Sequence, residues 1–222
     1  MRADLQVVED PAGEAARLMA AVDGHMVITG GSTPREAYGR LATMREDWSG
    51  VELWLTDERC VPPDHDHSNF RMVKESLIDA VEEVRYHRMR GELGPREGAD
   101  DYERQLGDAF GDELPSFDLM LLGLGPDAHT CSLFPGDDAL GERERRAVGV
   151  ERPGMAPLVP RITLTLPVVN AARHPVFLVT GEDKAEAMAR AFAGPPDPGA
   201  PASLLDDGVT VICDAAAASQ LG

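Results

Sequence analysis

Short apolar runs, many of them β-branched, alternate with segments of helical periodicity along most of this chain, and no other feature constrains its fold as strongly. Five runs have the length and composition of buried strands: His25–Thr29, Val51–Thr56, Phe117–Leu122, Val176–Thr180 and Val209–Cys213. Val84–Met89 is a weaker run, and Ile162–Leu166 also has strand character. Helical patterns occupy Pro34–Met44, Asn69–Val81, Arg96–Phe110 and Asp183–Ala193. Such alternation predicts a parallel sheet covered on both faces. With 222 residues the expectation is one α/β/α domain spanning the whole chain. Asp137–Pro160 reads as an irregular excursion, and the Pro/Gly-rich Gly194–Pro201 as a loop before the last strand.

Several classes of function drop out on composition. No apolar run reaches the length of a membrane span. The opening residues lack the basic-then-apolar layout of a signal peptide, so a cytoplasmic protein is expected. Thirty-nine acids against 21 bases give a formal charge of −18, which argues against nucleic acid as a partner. The three cysteines are scattered and form neither a CxxC pair nor a disulfide framework.

Four of the strands run directly into polar clusters: Thr29–Pro34, Thr56–Arg59, Gly123–Thr130 and Thr180–Lys184. In a doubly wound sheet, ligands bind beyond the carboxyl ends of the strands, so four such clusters converge on one crevice. Gly30-Gly31-Ser32-Thr33-Pro34 joins a strand to a helix. Ser32 or Thr33 is the expected N-cap and Pro34 the first helical residue. Free amides and hydroxyls there suit a phosphate, although an ordinary capped helix start has the same sequence. Asp57-Glu58-Arg59 closes an apolar strand, either as a charged surface loop or with Arg59 as a phosphate clamp.

Asp64-His65-Asp66-His67 invites a metal reading, but no third ligand is spaced to support it, and a helix-entry loop capped by Ser68 or Asn69 is preferred. His129 is the strongest candidate for proton transfer, a general base beyond a strand in a glycine-rich turn, with Asp127 placed to orient it. A capping histidine is the bland alternative. Lys184 lies at a helix start, where the dipole disfavours a cation unless an anion binds.

In order along the chain, Thr29–Pro34, Thr56–Pro63 with Ser68-Asn69, Gly123–Pro135, Pro160–Thr165 and Val179–Lys184 together resemble the glucosamine-6-phosphate isomerase/6-phosphogluconolactonase family. The resemblance runs from about residue 27 to 213 and implies a modified Rossmann-like fold. It implies hydrolysis of 6-phosphoglucono-1,5-lactone in the oxidative pentose phosphate pathway, with no cofactor and no metal. It places the general base at His129 and substrate or phosphate contacts at Gly31, Ser32, Thr33, Arg59, Arg161 and Lys184. It matches Asp57 to an acid that serves as a base in the deaminases. A monomer or weak homodimer is expected, with a small sugar-phosphate lactone as partner and neither nucleic acid nor membrane.

The residues after His129 choose between the branches. The deaminases resemble one another in a continuation carrying a glutamate, and Thr130–Pro135 has no acid there. A non-catalytic sugar-phosphate sensor would be expected to lose the base, which is present. Two departures from the family pattern carry expectations of their own. Ala128 stands where glycine is usual, and an alanine predicts φ below zero at that turn. The segment ahead of His25 is short, and a helix is expected to be trimmed from it.

Overall fold

The computed structural model describes residues 3–221. In chain order the strands and helices are β1 (Ala3–Val7), α1 (Pro11–Ala20), β2 (Gly24–Ile28), α2 (Ser32–Met44), β3 (Val51–Leu55), β4 (Asp57–Arg59), α3 (Asn69–Ser76), β5 (Arg85–His87), α4 (Pro95–Phe110), β6 (Leu119–Leu122), β7 (Ala147–Val150), β8 (Arg161–Leu164), α5 (Leu166–Asn170), β9 (Pro175–Val179), α6 (Ala185–Phe192) and β10 (Val209–Cys213). Seven strands form one sheet in the order β1-β10-β9-β6-β2-β3-β5, every pair parallel. The sheet is flanked by helices, as expected. Its central strands are apolar on both faces because both are covered: every residue of β6 and β10 is buried.

From β2 the chain moves outward through β3 to β5, then returns to β6 and moves the other way through β9 to β10. The direction of winding therefore reverses between β2 and β6. Diverging connections leave a crevice there, beyond the carboxyl ends of these two strands.

The sequence reading is corrected at four places. A strand and a helix precede β2 rather than a trimmed segment. Asp10 caps α1 by accepting from the Gly13 amide at 3.1 Å, and Pro11 takes the first helical position. Asp57–Arg59 is a strand and not a loop, and part of the supposedly irregular 137–160 segment is β7. These two strands flank β8 in a small antiparallel sheet, β4-β8-β7, that opposes Arg59 to Arg161 and Asp57 to Thr163. Finally, α3 stops at Ser76, with a single tight turn at Ile78–Ala80.

Two buried tyrosines hold the strand ends that border the crevice. Tyr38 of α2 both accepts from the Thr29 amide (2.9 Å) and donates to the Thr29 carbonyl (2.8 Å). Tyr102 of α4 does the same for Leu55, at 2.9 and 3.1 Å. Each hydroxyl satisfies both polar groups of one residue, and burial raises both phenol pKa values. Tyr38→Phe and Tyr102→Phe should each cost about 1–3 kcal/mol, read from denaturant midpoints, because each leaves buried backbone groups unpaired.

Candidate active site

The crevice is a cleft of about 230 Å³ whose lining includes Gly31, Asp57, Arg59, His129, Arg161 and Lys184. The sequence reading thus named six residues that the fold brings together from five separate segments. Asp127 stands behind His129, and Ser32 and Thr33 begin α2 at the rim.

The histidine–carboxylate pair sits in a short turn after β6. Asp127 Oδ1 lies 2.5 Å from His129 Nδ1 and also accepts from the His129 amide at 3.2 Å. This contact fixes the ring and directs its other nitrogen away from the carboxylate. Burial alone would raise the Asp127 pKa, but the histidine ring and amide hold it below the usual value. A Cβ on Gly125 would fall 2.0 Å from His129 Nδ1, so only glycine leaves room for the ring. The Gly125 amide donates to the His129 carbonyl (2.8 Å) and the Ala128 amide to the Gly125 carbonyl (2.9 Å), closing the turn. The Phe134 ring lies 4.6 Å from the imidazole and shields one side.

The expectation for Ala128 is overturned: its φ is +64°, in the left-handed region, and the residue is fully buried. The closed turn imposes that angle, which explains why glycine suits the position. Cys131, two residues after His129, is also left-handed at +54°. Burial first, then the Asp57 charge, push the Cys131 thiol pKa up, away from the thiolate form a nucleophile needs.

The basic side of the cleft is built on β4 and β8. Asp57-Glu58-Arg59 divides by strand alternation. Asp57, 6% exposed, accepts from Thr56 Oγ1 (2.9 Å), Asn69 Nδ2 (3.3 Å) and Ser132 Oγ (2.7 Å). Glu58, 2% exposed, turns away and accepts from the amides of Arg59, Asn69 and Phe70 and from Ser68 Oγ, all within 2.9 Å. Burial raises its pKa, against the pull of these four donors. Arg59 donates to the His67 carbonyl at 3.0 Å, while its buried Nε has no acceptor among the described residues. Across the ladder Arg161, 3% exposed, has its pKa lowered by burial and then by the neighbouring Arg59 charge. Two guanidiniums thus face each other across the ladder, one with an unused donor, a geometry that suits an anion.

The third cation is Lys184, at the start of α6, whose nearest carboxylate is Asp183 at 4.0 Å. The entry to α2 departs from expectation. Gly31, at φ +123°, is the N-cap, so Ser32 and Thr33 are the first two helical residues and Pro34 the third. The Ser32 and Thr33 amides consequently face the crevice end of the helix without intrahelical acceptors. Thr33 Oγ1 meets Thr180 Oγ1 at 2.7 Å.

Ser68 caps α3, accepting from the Arg71 amide at 3.1 Å. His65 and His67 lie in the exposed loop before it, where His65 Nδ1 accepts from the His67 amide at 3.1 Å. No cluster of three or more metal-ligating side chains occurs among the described residues. Sequence reasoning missed Asn69 and Ser132 as cleft residues. Both are polar groups near quoted motifs, but their shared partner, Asp57, is a contact only the fold creates.

A doubly wound α/β fold with a histidine–carboxylate pair facing a cationic cleft at the switch point defines a small-molecule enzyme that handles an anionic substrate. A family model described as glucosamine-6-phosphate isomerases/6-phosphogluconolactonase matches residues 6–212, and the chain belongs to that family. A 6-phosphogluconolactonase of Homo sapiens is 40% identical over 175 residues, covering 76% of this chain and 67% of that protein. One from Streptomyces coelicolor is 37% identical over 228 residues, covering 94% and 84%. Among solved structures, a 6-phosphogluconolactonase from Trypanosoma cruzi superposes with a TM-score of 0.83 at 27% identity, covering 99% of this chain and 97% of that one.

The strain at Ala128 is measurable against a relaxed control. Releasing a left-handed alanine returns about 1–2 kcal/mol, offset by the lost methyl group and by about 0.4–1 kcal/mol of unfolded-chain entropy. Ala128→Gly should therefore match or exceed the parent in denaturant midpoint. Ala187→Gly, at a fully buried position in α6, should lose about 1 kcal/mol or more. Equal losses at the two positions would mean that Ala128 is unstrained.

Proposed function

We propose that this protein hydrolyses 6-phosphoglucono-1,5-lactone to 6-phosphogluconate, as one lactonase domain acting in the cytoplasm. The observation that carries this reading is the His129–Asp127 pair opening onto the same cleft as Arg59, Arg161 and Lys184. The phosphate dianion lies against Arg59, Lys184 and the Ser32 and Thr33 amides, in the field of Arg161. Anchoring that end brings the lactone carbonyl to His129. With Asp127 bound at Nδ1, Nε2 takes a proton from water as the water oxygen bonds to C1.

The tetrahedral oxyanion needs donors. The Gly125 amide is already committed to His129, which leaves the Gly123 and Leu124 amides on the cleft wall. Collapse breaks the bond from C1 to the ring oxygen, and the imidazolium returns its proton to that oxygen, leaving a hydroxyl and a carboxylic acid that ionises. Asp57 is held by three donors at the cleft wall and faces the sugar.

Purified protein should accelerate hydrolysis of freshly generated 6-phosphogluconolactone with chelator present, and release no ammonia from glucosamine 6-phosphate. His129→Asn should lower kcat by roughly 10²–10⁴. Ammonia release, or a His129→Asn variant with parental kcat, would discard this mechanism.

Arg59→Ala and Lys184→Ala should each weaken 6-phosphogluconate binding by about 1.5–3 kcal/mol in calorimetry. Gluconate, which lacks the phosphate, should bind the parent and these variants alike. Equal losses for both ligands would place the phosphate elsewhere.

A further inference from the structure

Arg161 is committed in a direction that a phosphate ligand does not require. Its Nε donates to the Val159 carbonyl at 3.1 Å, and its Nη2 to the carbonyls of Pro157 (2.8 Å) and Met155 (3.4 Å). These three carbonyls belong to the strap that leads from β7 into β8, a segment with no strand or helix of its own. Met155 and Ala156 of the strap line the cleft, while Leu158 turns outward and is 76% exposed. Met155 packs against the core, but with Leu158 turned outward the rest of the strap gains little from burial, so its position depends on polar contacts. The planar fork of arginine, rigid on a buried strand, can reach carbonyls two residues apart at once.

We propose that Arg161 is a positioning residue that fastens strap 155–159 as one wall of the substrate cleft, and that this fastening sets the lactone ring against His129. The inference rests on the lactonase reading for its kinetic arm only. The phosphate is then held by Arg59 and Lys184, and Arg161 contributes its charge to them while its Nε and Nη2 hold the strap. Losing the fork loosens the wall around the ring without removing the phosphate's own ligands.

The test is Arg161→Lys, which keeps the charge and loses the fork. Hydrogen exchange of the Val159 amide, which donates to the Pro157 carbonyl at 2.8 Å, should accelerate at least tenfold. The Kd for inorganic phosphate should stay within threefold of the parent, and kcat should fall about tenfold. Unchanged exchange at the strap, or a raised phosphate Kd with kcat retained at saturation, would overturn the proposal. Should Arg161→Lys fail to fold, Met155→Ala decides it. A loosely placed ring predicts a lower kcat with unchanged phosphate Kd, and parental kcat overturns the proposal. A parent protein without lactonase activity would defeat the functional reading instead, and the exchange measurement would still judge the fastening.

Discussion

A single buried carboxylate, Glu58, holds the basic side of the cleft in place. It receives three amides and a hydroxyl, two of those amides from the first residues of α3. An isolated charge at that depth would be costly, and the helix N-terminus together with four hydrogen bonds offsets the cost. The result is that β4 is tied to the start of α3. Asp57 and Arg59, on either side of Glu58 and on the opposite face of a three-residue strand, are placed by it. Asn69, the first residue of α3, reaches Asp57 from the same junction.

Much of this was legible in the sequence, for identifiable reasons. The interior strands are apolar on both faces, so runs such as Val209–Cys213 declared themselves to the residue. The polar clusters at their carboxyl ends named the cleft before any geometry was available. The edge strand β5 and the strand β8 showed only as weaker runs, and β1, β4 and β7 were not legible. In β1 the residues Asp4 and Gln6 break the apolar run because only one neighbour covers that edge. In β4 three charged residues form a strand only because β8 pairs with them. The sign of φ at Ala128 was hidden for the opposite reason. Local preference opposes the observed angle, and hydrogen bonds closing the turn around His129 override it.

The chain carries a charge of −18, yet three cations meet at its cleft. Surface ion pairs absorb many of the other bases: Arg17 with Glu14, Arg40 with Asp10 and Glu36, Arg71 with Glu75. The cations of the cleft differ because no carboxylate approaches the guanidinium of Arg59 or of Arg161 closely among the described residues. Such a distribution repels anions at long range and attracts them at the mouth of one site, a field that discriminates by position.

The sheet also dictates an order of assembly. Strand β1 pairs with β10 alone, and about two hundred residues separate Ala3 from its partner Val209. During synthesis the first strand emerges with nothing to pair against until the last has been made. Contacts of such sequence separation are late to form, since the loop between them must first be organised. The central strands β2, β3 and β6, which carry the crevice, are complete by residue 122. The outer half of the sheet, from β9 to β1, closes last, and Lys184 reaches the cleft only with that half.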